Sequence, residues 1–127
     1  MDDKINLFIK GNFNLHSGSK SNFKIECDTL TEEDWKTIAY IIADRHNFRF
    51  VKGVPTGGIK LQNALLEYRN SESNGFLIVD DVLTTGGSME EVREQVEMAY
   101  PNCLVYGVVL FARDKCPDWI VSVFQMW

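Results

Sequence analysis

The chain has 127 residues at 14.5 kDa, 45% hydrophobic and 24% charged, which excludes a disordered or fibrous chain and leaves room for one domain. Its 13 Lys+Arg and 18 Asp+Glu give a net charge of −5, which excludes a nonspecific nucleic-acid binder, so no nucleic-acid partner is expected. Cys27, Cys103 and Cys116 are odd in number and widely spaced, so neither a disulfide framework nor a zinc site is expected.

No run approaches the roughly eighteen apolar residues of a membrane span, and Met1–Lys10 holds no signal-peptide core. A reduced, cytoplasmic protein without a membrane partner is the expectation. The acidic excess is uneven: residues 1–69 hold 10 basic and 9 acidic residues, residues 70–127 hold 3 and 9.

In chain order, Ile5, Leu7, Ile9, Phe13, Leu15, Phe23 and Ile25 alternate loosely and predict short strands around the polar stretch His16–Ser21. Thr31 before Glu32, Glu33 and Asp34 is a helix cap. Trp35, Ile38, Ala39 and Ile42 then recur at helical spacing, so that helix ends near His46. A strand is predicted over Phe48–Gly53, running into Gly53-Val54-Pro55-Thr56-Gly57-Gly58. A helix follows over Ile59–Arg69 with Leu61, Ala64, Leu65 and Tyr68 on one face. After a turn at Asn70–Gly75, Phe76–Val79 is a continuous apolar run, as in parallel strands buried on both faces. Asp80-Asp81 and Leu83–Gly87 lead into a helix over Ser88–Tyr100 with Met89, Val92, Val96 and Ala99 inward. Leu104–Ala112 and Trp119–Phe124 are the last strands. This alternation predicts an α/β fold in one domain, with a parallel sheet and right-handed crossovers.

In such sheets ligands bind outside the carboxyl ends of the strands, and two loops there are glycine-rich. In Phe76–Ser88, glycines admit a ligand to the backbone, the opening amides of a helix attract an anion, and Thr84, Thr85 and Ser88 add hydroxyls. Asp80 and Asp81 are unsuited to holding phosphate directly. They suit a ribose diol or a hydrated cation. A sugar phosphate needs both halves; the plainer alternative is a turn whose polar residues cap the helix.

This string resembles the phosphoribosyl-pyrophosphate (PRPP) binding motif of type I phosphoribosyltransferases: an apolar strand, two acids, a hydrophobic pair, Thr-Thr-Gly and a small hydroxyl residue. The resemblance implies that Asp80 and Asp81 contact the ribose hydroxyls, and that Thr84, Thr85, Gly86, Gly87 and Ser88 wrap the 5′-phosphate. Gly53–Gly58 is similar to the family's pyrophosphate loop, with Thr56, Gly57 and Gly58 as its binding residues. Within the family, Leu15–Ser21 resembles the N-terminal Leu-x-Ser-Gly-x-x-Ser segment of orotate phosphoribosyltransferases. Arg113 follows the Leu104–Ala112 strand where those enzymes carry an arginine that meets orotate, and a planar guanidinium suits a carboxylate. Lys20 is a second base-binding candidate; Lys24 and Lys115 are further ones, and a solvated surface charge is the alternative for each.

Trp119 and the tail Phe124–Trp127 offer rings for a base to stack on, or else core or dimer contacts. His16 and His46 read as structural, and Glu90, Glu91, Glu94 and Glu97 as the wet face of a helix. A phosphoacceptor receiver domain, suggested by Leu77–Asp81, is rejected, because only 46 residues follow Asp81 and Lys115 is their sole lysine.

One element departs from the family pattern. The family places a further strand and a long basic loop between the second helix and the PRPP motif; here only Asn70–Gly75 stands there, without a lysine or arginine. The resemblance therefore implies a single, Rossmann-like phosphoribosyltransferase domain over 1–127 with a small hood from the N- and C-terminal segments: residues 1–30 as hood and N-terminal strands, 31–112 as the α/β core and 113–127 as C-terminal strand and tail. It implies transfer from PRPP to a nitrogen base, orotate or a related pyrimidine, with Mg²⁺ carried on the substrate and a homodimer as the assembly. The missing loop keeps open a PRPP- or nucleoside-monophosphate-binding module without turnover.

Overall fold

A computed structural model describes residues 8–14, 20–25, 27–83 and 85–125, the first two segments as backbone strands. Strands β1 (Phe8–Asn14) and β2 (Lys20–Ile25) pair antiparallel in a two-stranded sheet of their own, with a register shift between Lys10 and Phe13. Leu15–Ser19, and with them His16, lie outside the described residues.

Helix α1 (Glu32–Arg45) begins where its cap predicts. The Thr31 hydroxyl accepts from the Asp34 amide at 3.1 Å, and the Asp34 carboxylate accepts from the Thr31 amide at 2.8 Å. It ends at His46, whose amide donates to the Ile42 carbonyl. Strand β3 (Phe50–Gly53) starts two residues later than the expected Phe48. Phe48 is instead fully buried, and its carbonyl takes the amide of Asn70. Helix α2 (Ile59–Leu65) tightens into a 3₁₀ turn over Leu66–Tyr68, so the expected helix to Arg69 is shorter and closes on i+3 bonds.

Strands β3, β4 (Gly75–Leu83), β5 (Leu104–Ala112) and β6 (Ile120–Gln125) form one all-parallel sheet in that order. Trp35, Ile38, Ala39 and Ile42 of α1 and Leu61 and Leu65 of α2 cover one face against Leu77, Val79, Val108 and Leu110. Helix α3 (Gly87–Ala99) covers the other, laying Met89, Val92 and Val96 on Ile78, Val109, Ala112 and Ile120. Ala99, expected inward, is exposed; the helix leaves the sheet there, and Tyr100 closes a cluster of rings with Phe50 and Phe76. Burial on both faces explains the unbroken apolar run of Phe76–Val79, which is at most 6% exposed. The α/β parallel-sheet class expected from the sequence is the fold observed.

The crossing from β5 to β6 contains no helix. Residues 113–119 make it as an irregular link that ends in a turn, the Ile120 amide donating to the Pro117 carbonyl at 3.0 Å. Ala112 lies five residues beyond Gly107, which pairs with Ile120, a retreat of about 17 Å at 3.3 Å per residue. Eight chain steps reach roughly 27 Å when extended, so the link suffices. Among the described residues no helix is long and apolar enough to cross a membrane.

Candidate functional site

β3 stops at Gly53, opposite Val79 of β4, and turns away. β4 runs on to Leu83 with β5 alone beside it. Asp80 and Asp81 thus stand on the strand itself, just past the point where β3 leaves, rather than in a loop after Val79. The partner that keeps these residues extended is β5, which pairs Val109 with Asp80 and Phe111 with Val82.

The loop 54–58 folds back into the space β3 vacates. The Val54 amide donates to the Val79 carbonyl at 2.8 Å, and the Gly58 amide to the Val54 carbonyl at 2.8 Å. Gln62 of α2 accepts from the Gly53 amide at 2.8 Å. The Pro55–Thr56 peptide is cis. A Cβ on Gly58 would collide with the Val79 carbonyl oxygen and lie 2.6 Å from the Val54 nitrogen. A Cβ on Gly57 would stand 2.5 Å from Asp81 Oδ2. Glycine at both positions is therefore a condition of the contact between loop and acid pair. Thr56 is exposed. Among the described residues no acceptor takes the amides of Thr56 and Gly57.

The acid pair is held by its own backbone. Asp80 Oδ1 accepts from the Asp81 amide at 2.8 Å, and Asp81 Oδ1 from the Val82 amide at 2.7 Å. Burial, then the hydrogen bond and charge of Asp81, push the Asp80 carboxyl up to about 8. At neutral pH the pair thus retains a proton. Among the described residues no third His, Cys, Asp or Glu completes a metal cage. Two carboxylates side by side fit Mg²⁺ of the kind that keeps most of its shell on substrate phosphates, and the cation would displace the shared proton.

Next to the pair, Thr85, Gly87 and Ser88 are exposed at the start of α3, while Thr84 lies outside the described residues. Gly86 is buried at φ 86° as the N-cap, with no side chain capping the helix. A left-handed residue here explains the glycine, and no side-chain cap takes the opening amides of this 13-residue helix. The amide of Arg113 donates to the Leu83 carbonyl at 3.3 Å, which brings Arg113 beside the end of β4. Partial burial lowers its pKa, and a guanidinium remains charged at neutral pH regardless.

One end of the sheet therefore gathers Thr56, Gly57, Gly58, Asp80, Asp81, Thr85–Ser88 and the backbone of Arg113. Lys20 and Lys24 lie on β2, whose side chains are outside the description, and Lys115 is an exposed residue of the link. His46 ends α1 beside the Tyr106 ring, and burial, then Arg45, lowers its pKa. Trp119 is engaged by α3: its indole N–H donates to Glu90 Oε1 at 2.7 Å. Glu90 is thereby half-buried rather than part of the wet face, and Glu91, Glu94 and Glu97 remain exposed. Gln62 and Glu90 escaped sequence reasoning, because a polar residue on an amphipathic helix carries no sign of a partner brought by tertiary packing.

No family model and no curated protein matches the sequence. Solved structures do match the fold. Orotate phosphoribosyltransferase from Aeropyrum pernix superposes with a TM-score of 0.74 at 23% identity over 97% of this chain and 90% of its own. UMP synthase of Leishmania donovani superposes with 0.75 at 20% identity over 94% of this chain and 34% of its own. The xanthine-guanine-hypoxanthine phosphoribosyltransferase of Helicobacter pylori superposes with 0.57 at 15% identity over 76% of this chain and 88% of its own. The chain has the type I phosphoribosyltransferase fold.

Proposed function

We propose that this protein is a compact phosphoribosyltransferase that moves phosphoribose from PRPP to a nitrogen base, orotate or a related pyrimidine first. The single observation that carries the reading is the Asp81 carboxylate against Gly57. It joins the acid pair to the glycine loop at the sheet end where the α3 amides open.

In this reaction the bond from ribose C1′ to the pyrophosphate oxygen breaks, a bond from the base nitrogen to C1′ forms, the nitrogen's proton passes to solvent, and pyrophosphate leaves. Asp80 and Asp81 accept hydrogen bonds from the ribose hydroxyls and fix the sugar. The backbone and hydroxyls of Thr84–Ser88 bind the 5′-phosphate at the positive end of α3. The Thr56–Gly58 amides meet the pyrophosphate. Arg113 and Lys20 meet the anionic base. Mg²⁺, when bound, neutralises charge on the leaving pyrophosphate. Held rigidly, these groups meet charge as it develops at the sugar and the leaving group. A homodimer in the cytoplasm is part of the proposal.

The test is pyrophosphate release by the purified protein with PRPP, Mg²⁺ and a panel of bases. Silence across the panel, with native circular dichroism, overturns the transferase reading.

A second reading is supported by the turn 70–74. It lies at the start of β4, about 20 Å along the strand from Asp81, and carries no cation. A loop so placed cannot close over the pyrophosphate and exclude water. On that reading the domain binds PRPP or a nucleoside monophosphate without turnover. Calorimetric binding of PRPP without product selects it.

A further inference from the structure

The link from β5 to β6 carries Arg113 at its start and Trp119 at its end. Trp119 is half-buried, and its Nε1–H donates to Glu90 Oε1 at 2.7 Å. Glu90 lies in the first turn of α3, two residues beyond Ser88. Arg93, nearly one turn on, holds its guanidinium 4.8 Å from the indole centroid and ties its Nε–H to Glu97 Oε1 at 2.6 Å. Below, the indole rests on the sheet where Gly107 leaves room. A Cβ at Gly107 would stand 3.0 Å from Trp119 Cζ3 and 2.7 Å from Met89 Cε. The Gly107 amide donates to the Trp119 carbonyl at 2.9 Å.

Packing alone does not call for this arrangement. A plain apolar ring would cover Gly107, and a first-turn glutamate already favours the helix dipole without any partner. The indole N–H on a carboxylate adds a charge-assisted bond between segments 29 residues apart. Within the link there are local bonds as well: the Lys115 amide donates to the Asp114 carboxylate and the Ile120 amide to the Pro117 carbonyl. Cys116 packs the middle of the link on the core beneath α3, and its two ends are tied to β4 and α3. One end is beside the close of β4, which carries the acid pair, and the other beside the first turn of α3.

We infer that Glu90 and Trp119 form a clasp that sets the base-facing link against the phosphate-facing end of α3, as positioning residues for ligands that span both. The inference rests on the proposed function. Opening the clasp loosens the link against α3, while Met89, Val92 and Val96 still seat the helix on the sheet. A ligand reaching only the phosphate and ribose groups is then unaffected. A ligand that also reaches Arg113 loses its fit.

The test is calorimetric titration of the full chain with ribose 5-phosphate and with orotidine 5′-monophosphate, for wild type, Glu90→Ala, Glu90→Gln and Trp119→Phe. Glu90→Ala and Trp119→Phe are expected to bind the nucleotide about tenfold more weakly, the loss of one bond to a charged group, and ribose 5-phosphate within about twofold. Glu90→Gln keeps an acceptor for the indole and restores most of the nucleotide affinity. Equal losses for both ligands, no loss for either, or a Gln variant as weak as Ala overturns the clasp while leaving the proposed function in place. Wild-type protein that binds neither probe overturns the proposed function, and the clasp falls with it.

Discussion

The Asp81 carboxylate rests on the α-carbon of Gly57, so close that a single methyl there would stand 2.5 Å from Oδ2. The obstacle is the end of a side chain, which can swing aside. Gly57→Ala is therefore expected to change the unfolding free energy by less than about 1 kcal/mol, measured by urea titration, because nothing rigid is displaced. Its effect falls on the ligand. With Asp81 pushed from its place, PRPP affinity should drop at least about tenfold by calorimetry. Unchanged affinity in Gly57→Ala would separate Asp81 from the ribose.

Gly58 is the opposite case. The atoms a Cβ would meet there are backbone, the Val79 carbonyl oxygen and the Val54 nitrogen, which also share the hydrogen bond tying loop to strand. Neither can rotate away. Gly58→Ala is expected to destabilise the protein by about 3 kcal/mol, with a lowered denaturant midpoint. A melting temperature equal to wild type would mean that the loop does not pack on β4 as described.

Asp80 supplies a pH dependence whose sign is fixed. Its carboxyl sits near 8 in the folded protein and near 3.8 when unfolded, so the native state binds the extra proton between those values. Stability therefore falls as pH rises from about 4 to about 8, and the contribution is intact below the unfolded value. Asp80→Asn removes the penalty. It should raise the unfolding free energy by about 2 kcal/mol at pH 8 and leave it within about 0.5 kcal/mol at pH 4, measured by denaturant titration. Binding of Mg²⁺ with PRPP expels the proton, so wild-type affinity should tighten by up to about tenfold per pH unit between 6 and 8. A flat binding profile would show that the ligand does not engage the ionised pair.

Much of this arrangement is legible in the sequence, for identifiable reasons. Local chemistry marks the ends of α1, where Thr31 and Asp34 bond reciprocally, and the buried strand, where Phe76–Val79 has no polar interruption. The order of glycine loop, helix, apolar strand and acid pair marks the sheet end at which they meet. The extent of β4 was hidden, because Asp80-Asp81 reads as the close of a strand unless β5 is there to pair with it. The Asp81–Gly57 and Trp119–Glu90 contacts were hidden as well. Each joins residues more than twenty apart whose own neighbourhoods give no reason to pair, and only the stacking of β4 beside β3 or of α3 on β5 brings them together.

Gly86 tests the anion-facing turn by conformation alone. Its φ is 86°, yet the nearest atom to a Cβ built there is Leu83 Cδ1 at 3.5 Å, an ordinary contact. Space is available, so any cost of substitution comes from the left-handed backbone. Alanine pays about 1 kcal/mol to hold that geometry, whereas asparagine visits it readily and can also cap a helix. Stability by urea titration should therefore rank glycine and asparagine together, with alanine lower and valine lowest. Valine, for which the geometry costs more still, relieves the strain by turning φ negative, which moves the opening amides of α3 from their place. Ribose 5-phosphate affinity should follow the same order, with Gly86→Asn within about threefold of wild type and Gly86→Val below detection. A valine variant that binds the phosphate as well as wild type would remove the 5′-phosphate from this turn.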